Sequence, residues 1–393
     1  MDITIHPQKL RGTVTAIPSK SQAHRLLICA AFADRPTYLV CPQTNQDIEA
    51  TAACLNALGA NITRTPEGYQ VIPAAAIPES AELPCGESGS TLRFLLPVAA
   101  ALGVDTLFHL EGRLPQRPLS PLWEEMERMG CRLSRPTENT VRCQGKLHGG
   151  AFSIRGDTSS QFITGLLFAG CLLKDPSRIH IIGKLESAPY VDMTRRAIAL
   201  FGVDTKNLTL SGDTHLRSPG RLLVEGDWSN AAFFLAANTM GSEITVDNLD
   251  PDSPQGDRLI VDSLKALQEN RPIDCAQIPD LGPILSVAAA AGQGGTLYNI
   301  GRLRLKESDR VAAIINMLSA LGIQAKATES ELTVFPGRFH GGTVDSMGDH
   351  RIAMAAAIAA TAADGPVTIL GAQCVRKSYP DFWSEYERLG GKL

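Results

Sequence analysis

A chain that repeats itself folds as a set of related units, and this one repeats six times. A short polar signature precedes an Ala/Leu-rich run at Ser19-Lys20-Ser21, Ser88-Gly89-Ser90-Thr91, Thr158-Ser159-Ser160, Asp227-Trp228-Ser229, Asp280-Leu281-Gly282 and Gly348-Asp349-His350. Anchored on residues 21, 90, 159, 229, 281 and 349, the copies are spaced 69, 69, 70, 52 and 68 residues apart. A second signature keeps step with the first: apolar runs end in glycine at Leu55 to Gly59, Met126 to Gly130, Ala197 to Gly202, Leu318 to Gly322 and Glu387 to Gly390. Gln268 stands where the sixth glycine belongs, in the short unit. Glycine after the last apolar residue stops a helix because it takes the left-handed conformation cheaply. Alternating β-branched stretches at Gly12 to Ile17, Ile179 to Ile182 and Thr296 to Ile300 predict strands. Each unit reads strand, helix, strand, helix, strand, strand. Two helices per unit make it too large for a simple solenoid repeat, so an α/β protein of two three-repeat domains is expected, with residues 1 to 15 pairing with the C-terminal half.

Composition narrows the function. The 393 residues carry 37 Lys and Arg against 41 Asp and Glu, a net charge of −4, so no nucleic-acid partner is expected and any anionic ligand needs a local basic cluster. The longest apolar run, Ile352 to Ala363, is interrupted by Thr361 and is well short of the ~20 residues that cross a bilayer. The start, Met1-Asp2-Ile3-Thr4-Ile5-His6, reads as a strand of a cytoplasmic protein rather than a secretory leader. Nine cysteines form no CxxC pair and eight histidines form no HExxH, so neither a disulfide framework nor a metal is expected. The absence of GxxxxGK[ST] and of a strand-flanked GxGxxG counts against ATP and NAD, and no cofactor is expected.

The six polar signatures all open helices. Ser, Thr and Asp there cap free backbone N–H groups, and capping alone accounts for any single copy. Six together aim related helix starts at related places, and helix N-termini bind anions. The same segments carry Lys20, Arg25, Arg93, Arg117, Lys306, Arg310, Arg351 and Lys377. An arginine inside an apolar helix start, as in Leu92-Arg93-Phe94, needs an anion or an internal ion pair. Asp280 reads either as a plain N-cap or as a functional carboxylate, and Lys306-Glu307-Ser308-Asp309-Arg310 as solvated charge or as part of a site. Together these residues suggest acid–base transfer chemistry on a phosphorylated or carboxylated metabolite.

With these residues in hand, the chain resembles the 5-enolpyruvylshikimate-3-phosphate synthases, the 3-phosphoshikimate 1-carboxyvinyltransferases, nearly end to end. The resemblance rests on Pro18-Ser19-Lys20-Ser21 with Arg25, Gly89 to Arg93, Arg117-Pro118, Ser159-Ser160-Gln161-Phe162, Ser187 with Pro189-Tyr190, Glu225-Gly226-Asp227, Ile278-Pro279-Asp280, Lys306 to Arg310, Asp349-His350-Arg351, and Lys377 with Pro380-Asp381. It implies an inside-out α/β barrel fold of six βαβαββ-type repeats, three per domain. The first domain is expected over 16–222 and the second over 1–15 plus 223–393, with the active site in the cleft between them.

The family transfers the enolpyruvyl group of phosphoenolpyruvate to the 5-hydroxyl of shikimate 3-phosphate, releasing phosphate, in the shikimate pathway to chorismate. By resemblance, Lys20, Ser21, Arg25, Ser159, Ser160, Gln161, Ser187, Asp280 and Lys306 hold shikimate 3-phosphate. Lys20, Gly89, Arg117, Gln161, Arg310, Arg351 and Lys377 hold phosphoenolpyruvate, with Gly89 leaving room for backbone approach. Asp280 is the expected base, Glu307 the expected acid, and Lys20 and Lys377 offset developing charge; His350 either shares proton duty or orders Asp349 and Arg351. Family membership also implies a monomer. Glu87 replaces an Asn frequent in relatives, and Arg302 an Asn that some use to touch the shikimate ring. Two alternatives are a UDP-N-acetylglucosamine enolpyruvyl transferase and a catalytically silent phosphometabolite-binding protein. The first usually has a reactive Cys five residues before the Arg-Pro pair, where this chain has Gly112; the second would tolerate loss of Asp280 and Glu307.

Overall fold

The computed structural model describes residues 1–393 and contains twelve α-helices in six successive pairs. These are α1 (Lys20–Ala31), α2 (Gln46–Ala57), α3 (Gly89–Leu102), α4 (Leu122–Arg128), α5 (Ser160–Gly170), α6 (Ala188–Leu200), α7 (Trp228–Asn238), α8 (Ile260–Gln268), α9 (Gly282–Ala291), α10 (Arg310–Ala320), α11 (His350–Ala360) and α12 (Phe382–Arg388). Every polar signature lies at or beside the start of an odd-numbered helix. Side chains of Ser19, Ser88, Ser159, Asp227 and Asp349 each accept a hydrogen bond from a backbone N–H in the first turn that follows. All the even-numbered helices except α8 run into a glycine with positive φ, at Gly59, Gly130, Gly202, Gly322 and Gly390. Behind α8 the left-handed residue is Asn270, at φ 53°, the usual substitute for glycine at such a stop.

Contacts divide the chain into Pro18–Val224 and Met1–Ile17 with Glu225–Leu393, so each crossing lies two residues beyond the expected one. Each unit has its own apolar core. In the first, α3 and α5 are buried along almost their whole lengths; in the second, α7, α9 and α11 are. A helix apolar on every side belongs in the interior, so within each unit the odd-numbered helices form the core and the sheets lie outside it.

The sheets share one plan, two parallel strands joined across a buried helix and then antiparallel strands. Ser80–Gly86 runs parallel to Asp105–Leu110, which pairs antiparallel with Thr140–Gly145, itself antiparallel to Cys131–Ser134. Ile273–Asp274, Gly295–Tyr298, Glu331–Val334 and Ala325–Ala327 repeat that order in the second unit. Two exchanges explain the interrupted second unit. Arg11–Thr15 leads Glu243–Asp247, while Arg221–Leu223 takes the leading place beside Thr37–Val40. Ile3–Ile5 completes the sheet of Val367–Leu370 and Gly342–Asp345. The 52-residue step is short because α8 is followed directly by Ile273–Asp274, the leading strand of the next repeat, with no antiparallel pair between them.

Candidate active site

In the Pro18–Val224 unit the starts of α1, α3, α5 and α6 present most of the expected binding residues. Lys20, at the first position of α1, pairs with Asp47 at 2.8 Å. Asp47 lies in the first turn of α2, in a segment without a repeated signature, and sequence reasoning missed it; its only advertisement is the Asn45 cap two residues earlier. Arg25 is 2% exposed. Its Nε donates to Thr194 Oγ1 and its Nη2 to the Tyr190 carbonyl, both at 2.9 Å, and its Nη1 to the Ser21 carbonyl at 2.5 Å. All three acceptors are neutral, and burial draws the guanidinium down to about 10. A desolvated cation with no carboxylate beside it suits an incoming anion.

Arg93 makes contacts that explain its place in an apolar helix start. Its Nη1 donates to Gln161 Oε1 at 3.0 Å and its Nη2 to the Pro118 carbonyl at 3.1 Å, so it ties α5 to the Arg117-Pro118 turn. Gln161 Nε2 in turn donates to Ser90 Oγ at 3.0 Å. Close packing of the helices permits this, since a Cβ on Gly165 would lie 2.3 Å from the Arg93 carbonyl oxygen. Ser159 caps α5 and Ser160 begins it, while Ser187 precedes α6 with a left-handed φ of 53°. That conformation is rare outside Gly, Asn and Asp and recurs where function over-determines the backbone.

Gly89 also has a use within the protein itself. A Cβ there would stand 2.6 Å from Arg117 Nη1 and 2.8 Å from Arg93 Nη1, so the missing side chain makes room for two guanidinium groups. Gly89→Ala is therefore expected to displace Arg117 and raise the KM for phosphoenolpyruvate by roughly tenfold, about the 1.4 kcal/mol of one misplaced ionic contact. Steady-state kinetics at saturating second substrate checks this; an unchanged KM would remove Arg117 from the binding set.

In the other unit Asp280 is not a cap. It sits in the 3-10 turn Pro279–Leu281, and α9 begins with no side-chain cap at all. Its Oδ1 lies 3.1 Å from Lys306 Nζ and 2.6 Å from Arg310 Nη1, and its Oδ2 3.4 Å from Arg351 Nη2. Burial works against the charge, but Lys306, Arg351 and Arg310 together outweigh it and hold the carboxyl well below its usual range. Capping of α10 falls instead to Asp309, which accepts from the N–H groups of Val311 and Ala312.

Arg310, 1% exposed, is the hub. Besides Asp280 it holds Glu307 Oε2 at 2.7 Å through Nη2 and Asp349 Oδ2 at 2.8 Å through Nε. Asp349 also accepts from the Arg351 N–H at 3.0 Å and from Ser308 Oγ at 3.0 Å, so one buried carboxylate orients Arg310 and starts the helix that carries Arg351. His350 Nδ1 is 4.0 Å from Asp349 Oδ1, beyond hydrogen-bond range. Burial draws Lys306 down to about 8, against the opposing pull of Asp280. Asp257, missed in the sequence, receives a short hydrogen bond from Ser229 Oγ, and Ser229 lends its carbonyl to Arg351 Nη1 at 3.5 Å. Burial, reinforced by Asp280, pushes Asp257 up to about 6. Lys377 is buried at the end of the turn Ala372–Lys377, next to Ser378, whose Oγ accepts from Asn230 Nδ2 at 3.1 Å. Arg302 lies in the turn Gly301–Leu305. No three His, Cys, Asp or Glu side chains come together as metal ligands, and no helix is long and apolar enough to cross a membrane.

Each unit thus gathers its own share of the expected residues: one a set of helix starts with Lys20, Arg25, Arg93 and Arg117, the other carboxylates interleaved with Lys306, Arg310 and Arg351. Comparison with known proteins places the whole chain in one family. The family model for EPSP synthase (3-phosphoshikimate 1-carboxyvinyltransferase) matches residues 5–386. A 3-phosphoshikimate 1-carboxyvinyltransferase of Clostridium kluyveri is 38% identical, covering 100% of this chain and 98% of that protein. One of Clostridium perfringens is 39% identical over 100% of this chain and 99% of that protein. The crystal structure of the EPSP synthase of Acinetobacter baumannii shares the fold, with a TM-score of 0.79 at 24% identity over 99% of this chain and 98% of that one. So does the enolpyruvyl transferase NikO of Streptomyces tendae, with a TM-score of 0.77 at 18% identity over 99% of this chain and 97% of that one. The chain belongs to the EPSP synthase family, the 3-phosphoshikimate 1-carboxyvinyltransferases.

Proposed function

We propose that the chain transfers the enolpyruvyl group of phosphoenolpyruvate to the 5-hydroxyl of shikimate 3-phosphate, releasing phosphate. The observation that carries this reading is the cluster of Asp280, Glu307 and Asp349 around Arg310. It places two partly accessible carboxylates on one guanidinium, a pair able to trade protons with a substrate.

Shikimate 3-phosphate is held by Lys20, Ser21, Arg25, Ser159, Ser160, Gln161, Ser187 and Lys306, with Asp280 on its 5-hydroxyl. Phosphoenolpyruvate is held by Lys20, Gly89, Arg117, Gln161, Arg310, Arg351 and Lys377. Asp280 stays ionised among its three cations and accepts the hydroxyl proton as the oxygen attacks. Glu307 gives its proton to the methylene carbon, which makes the neighbouring carbon electrophilic. The anionic substrate competes with Glu307 for Arg310, and losing that partner raises the proton affinity of Glu307. Attack gives a tetrahedral adduct, and removal of a methyl proton expels phosphate; Lys20 and Lys377 offset the charge that develops on the phosphate and carboxylate oxygens. The protein works as a cytoplasmic monomer without a cofactor.

Lys306 gives a pH signature. Its charge is lost as pH rises through about 8, so kcat/KM for shikimate 3-phosphate is expected to fall above that pH. Lys306→Arg, which keeps its charge at all accessible pH, is expected to abolish that fall; a fall that survives in the variant belongs to another group.

The sister reaction on UDP-N-acetylglucosamine is disfavoured at Gly112. Its φ is +55°, a conformation that strains any L side chain, and a Cβ there would stand 2.6 Å from the Glu87 carboxyl carbon, so a side chain at that position would have to displace Glu87. Phosphate release from phosphoenolpyruvate, followed with each acceptor in turn, tests the reading. Release with shikimate 3-phosphate alone is expected. Release with the nucleotide sugar alone would assign the sister reaction, and tight shikimate 3-phosphate binding without release would leave a binding protein.

A further inference from the structure

One string of buried polar groups takes no part in the chemistry above. Ser88, Thr91, Thr51 and His24 are each at most 1% exposed. Three bonds of 2.7 Å join them: Thr91 Oγ1 to Ser88 Oγ, Thr51 Oγ1 to Thr91 Oγ1, and His24 Nδ1 to Thr51 Oγ1. The string crosses three helices. His24 lies on α1 between Lys20 and Arg25, Thr51 on α2 one turn beyond Asp47, and Ser88 caps α3 directly before Gly89.

The proton order along it follows from the acceptors. Burial drives His24 down to about 3, opposed by Asp47 and aided by Lys20 and Arg25, so the ring is neutral and carries one N–H. The Thr91 hydroxyl donates to Ser88 Oγ, which also accepts the Thr91 N–H at 3.3 Å. Thr91 then accepts from Thr51, and with that proton committed, Thr51 accepts from His24 Nδ1; this tautomer is assigned from the network. Nε2 is left as a buried acceptor with no hydrogen bond, in a ring that stands edge-on to Phe94 at 6.2 Å. A phenylalanine at position 24 would avoid that unsatisfied nitrogen. What the imidazole supplies in exchange is the Nδ1 donor at the head of the string.

We propose that His24 is a positioning residue for phosphoenolpyruvate. Its N–H, passed on through Thr51 and Thr91, fixes Ser88 as the cap of α3 and so holds the Gly89 turn, where Arg117 packs, in place relative to Lys20. Asp47 joins the same scaffold from the other side, pairing with Lys20 through its carboxylate while the next turn of α2 carries Thr51. The positioning role rests on the assignment of Gly89, Arg117 and Lys20 to phosphoenolpyruvate proposed above.

The test compares His24→Phe and Thr51→Val, which delete the hydrogen bonds, with His24→Asn and Thr51→Ser, which keep a donor near Nδ1 and a hydroxyl. In the full-length protein, His24→Phe and Thr51→Val are expected to raise the KM for phosphoenolpyruvate about tenfold while calorimetric binding of shikimate 3-phosphate stays within twofold. His24→Asn and Thr51→Ser are expected to return the KM to within about threefold of the parent. Equal weakening of both substrates, an unchanged KM in the deletion variants, or failure of both conservative variants to rescue would overturn the proposal. A readout without substrates separates this result from the substrate assignment. Amide hydrogen exchange at Thr91 and Leu92 in the ligand-free protein is expected to quicken at least tenfold in the deletion variants and not in the conservative ones. Quickened exchange with no change in the phosphoenolpyruvate KM would leave a structural string and refute the positioning role, whereas a parent protein inactive on phosphoenolpyruvate would refute the substrate assignment first and the positioning role with it.

Discussion

Glu307→Gln is expected to lower turnover by about a thousandfold, within the 10²–10⁴ that a positioned proton donor contributes, while shikimate 3-phosphate still binds. The substitution is close to isosteric, and the amide oxygen keeps its bond from Arg310 Nη2, which now reaches Oε2 at 2.7 Å. The transferable proton is lost together with the negative charge that faces Arg310. Asp280→Asn acts on the other half of the proton traffic with a different signature. Asp280 is the shared counter-ion of Lys306, Arg310 and Arg351, so removing its charge leaves three cations that attract the shikimate phosphate at least as well as before. Turnover is expected to fall at least a hundredfold while the dissociation constant for shikimate 3-phosphate stays level or decreases. Single-turnover kinetics with equilibrium binding checks both variants. Near-parental turnover in either one would take that residue out of the proton transfers.

Arg310→Met is expected to be the most destabilising single change in the site, by about 3–5 kcal/mol, the cost of removing one partner from a buried ion pair. Arg310 touches Asp280, Glu307 and Asp349 together. Asp349 has no solvent exposure and would keep only Ser308, the N–H at the start of α11 and, 4.0 Å away, His350. In the parent its carboxyl lies below the usual range, since Arg310 overcomes the burial that opposes ionisation. In the variant burial acts without that arginine, so the folded-state pKa rises above the unfolded value and the folded protein binds the extra proton. Stability of the variant is therefore expected to increase as pH falls from 8 to 5, where the protonated form relieves the buried charge. Urea unfolding at several pH values measures this; a loss under 1 kcal/mol, independent of pH, would show that the three carboxylates do not depend on Arg310.

Much of this was legible in the sequence because a repeat exposes itself through spacing. The six polar signatures do open buried helices, the glycine stops do end the outer ones, and residues 3 to 15 do pair with strands of the C-terminal half. Less legible was what depends on tertiary approach. Asp280 could be read as a cap or as a functional carboxylate, and only the distances to Lys306, Arg310 and Arg351 decide between them. Gly89 could be assigned to a tight site, but that a Cβ there would also meet Arg117 and Arg93 is visible only once the chain is folded. Asp47, Asp257, His24 and Thr51 belong to no repeated signature, because a buried polar contact between helices leaves no periodicity to read. The 52-residue step was visible as an irregularity, and its cause, a repeat without its antiparallel strands, needed the sheet order.

The central claim is that this chain moves an enolpyruvyl group by protonating and later deprotonating a single carbon. Running the reaction in D2O with shikimate 3-phosphate and phosphoenolpyruvate, and weighing the product by mass spectrometry, tests it most directly. The account predicts deuterium in the methylene of the enolpyruvyl ether, because the methyl group formed on protonation loses one of three hydrogens when phosphate leaves. An enolpyruvyl ether formed without any deuterium at that carbon would contradict it.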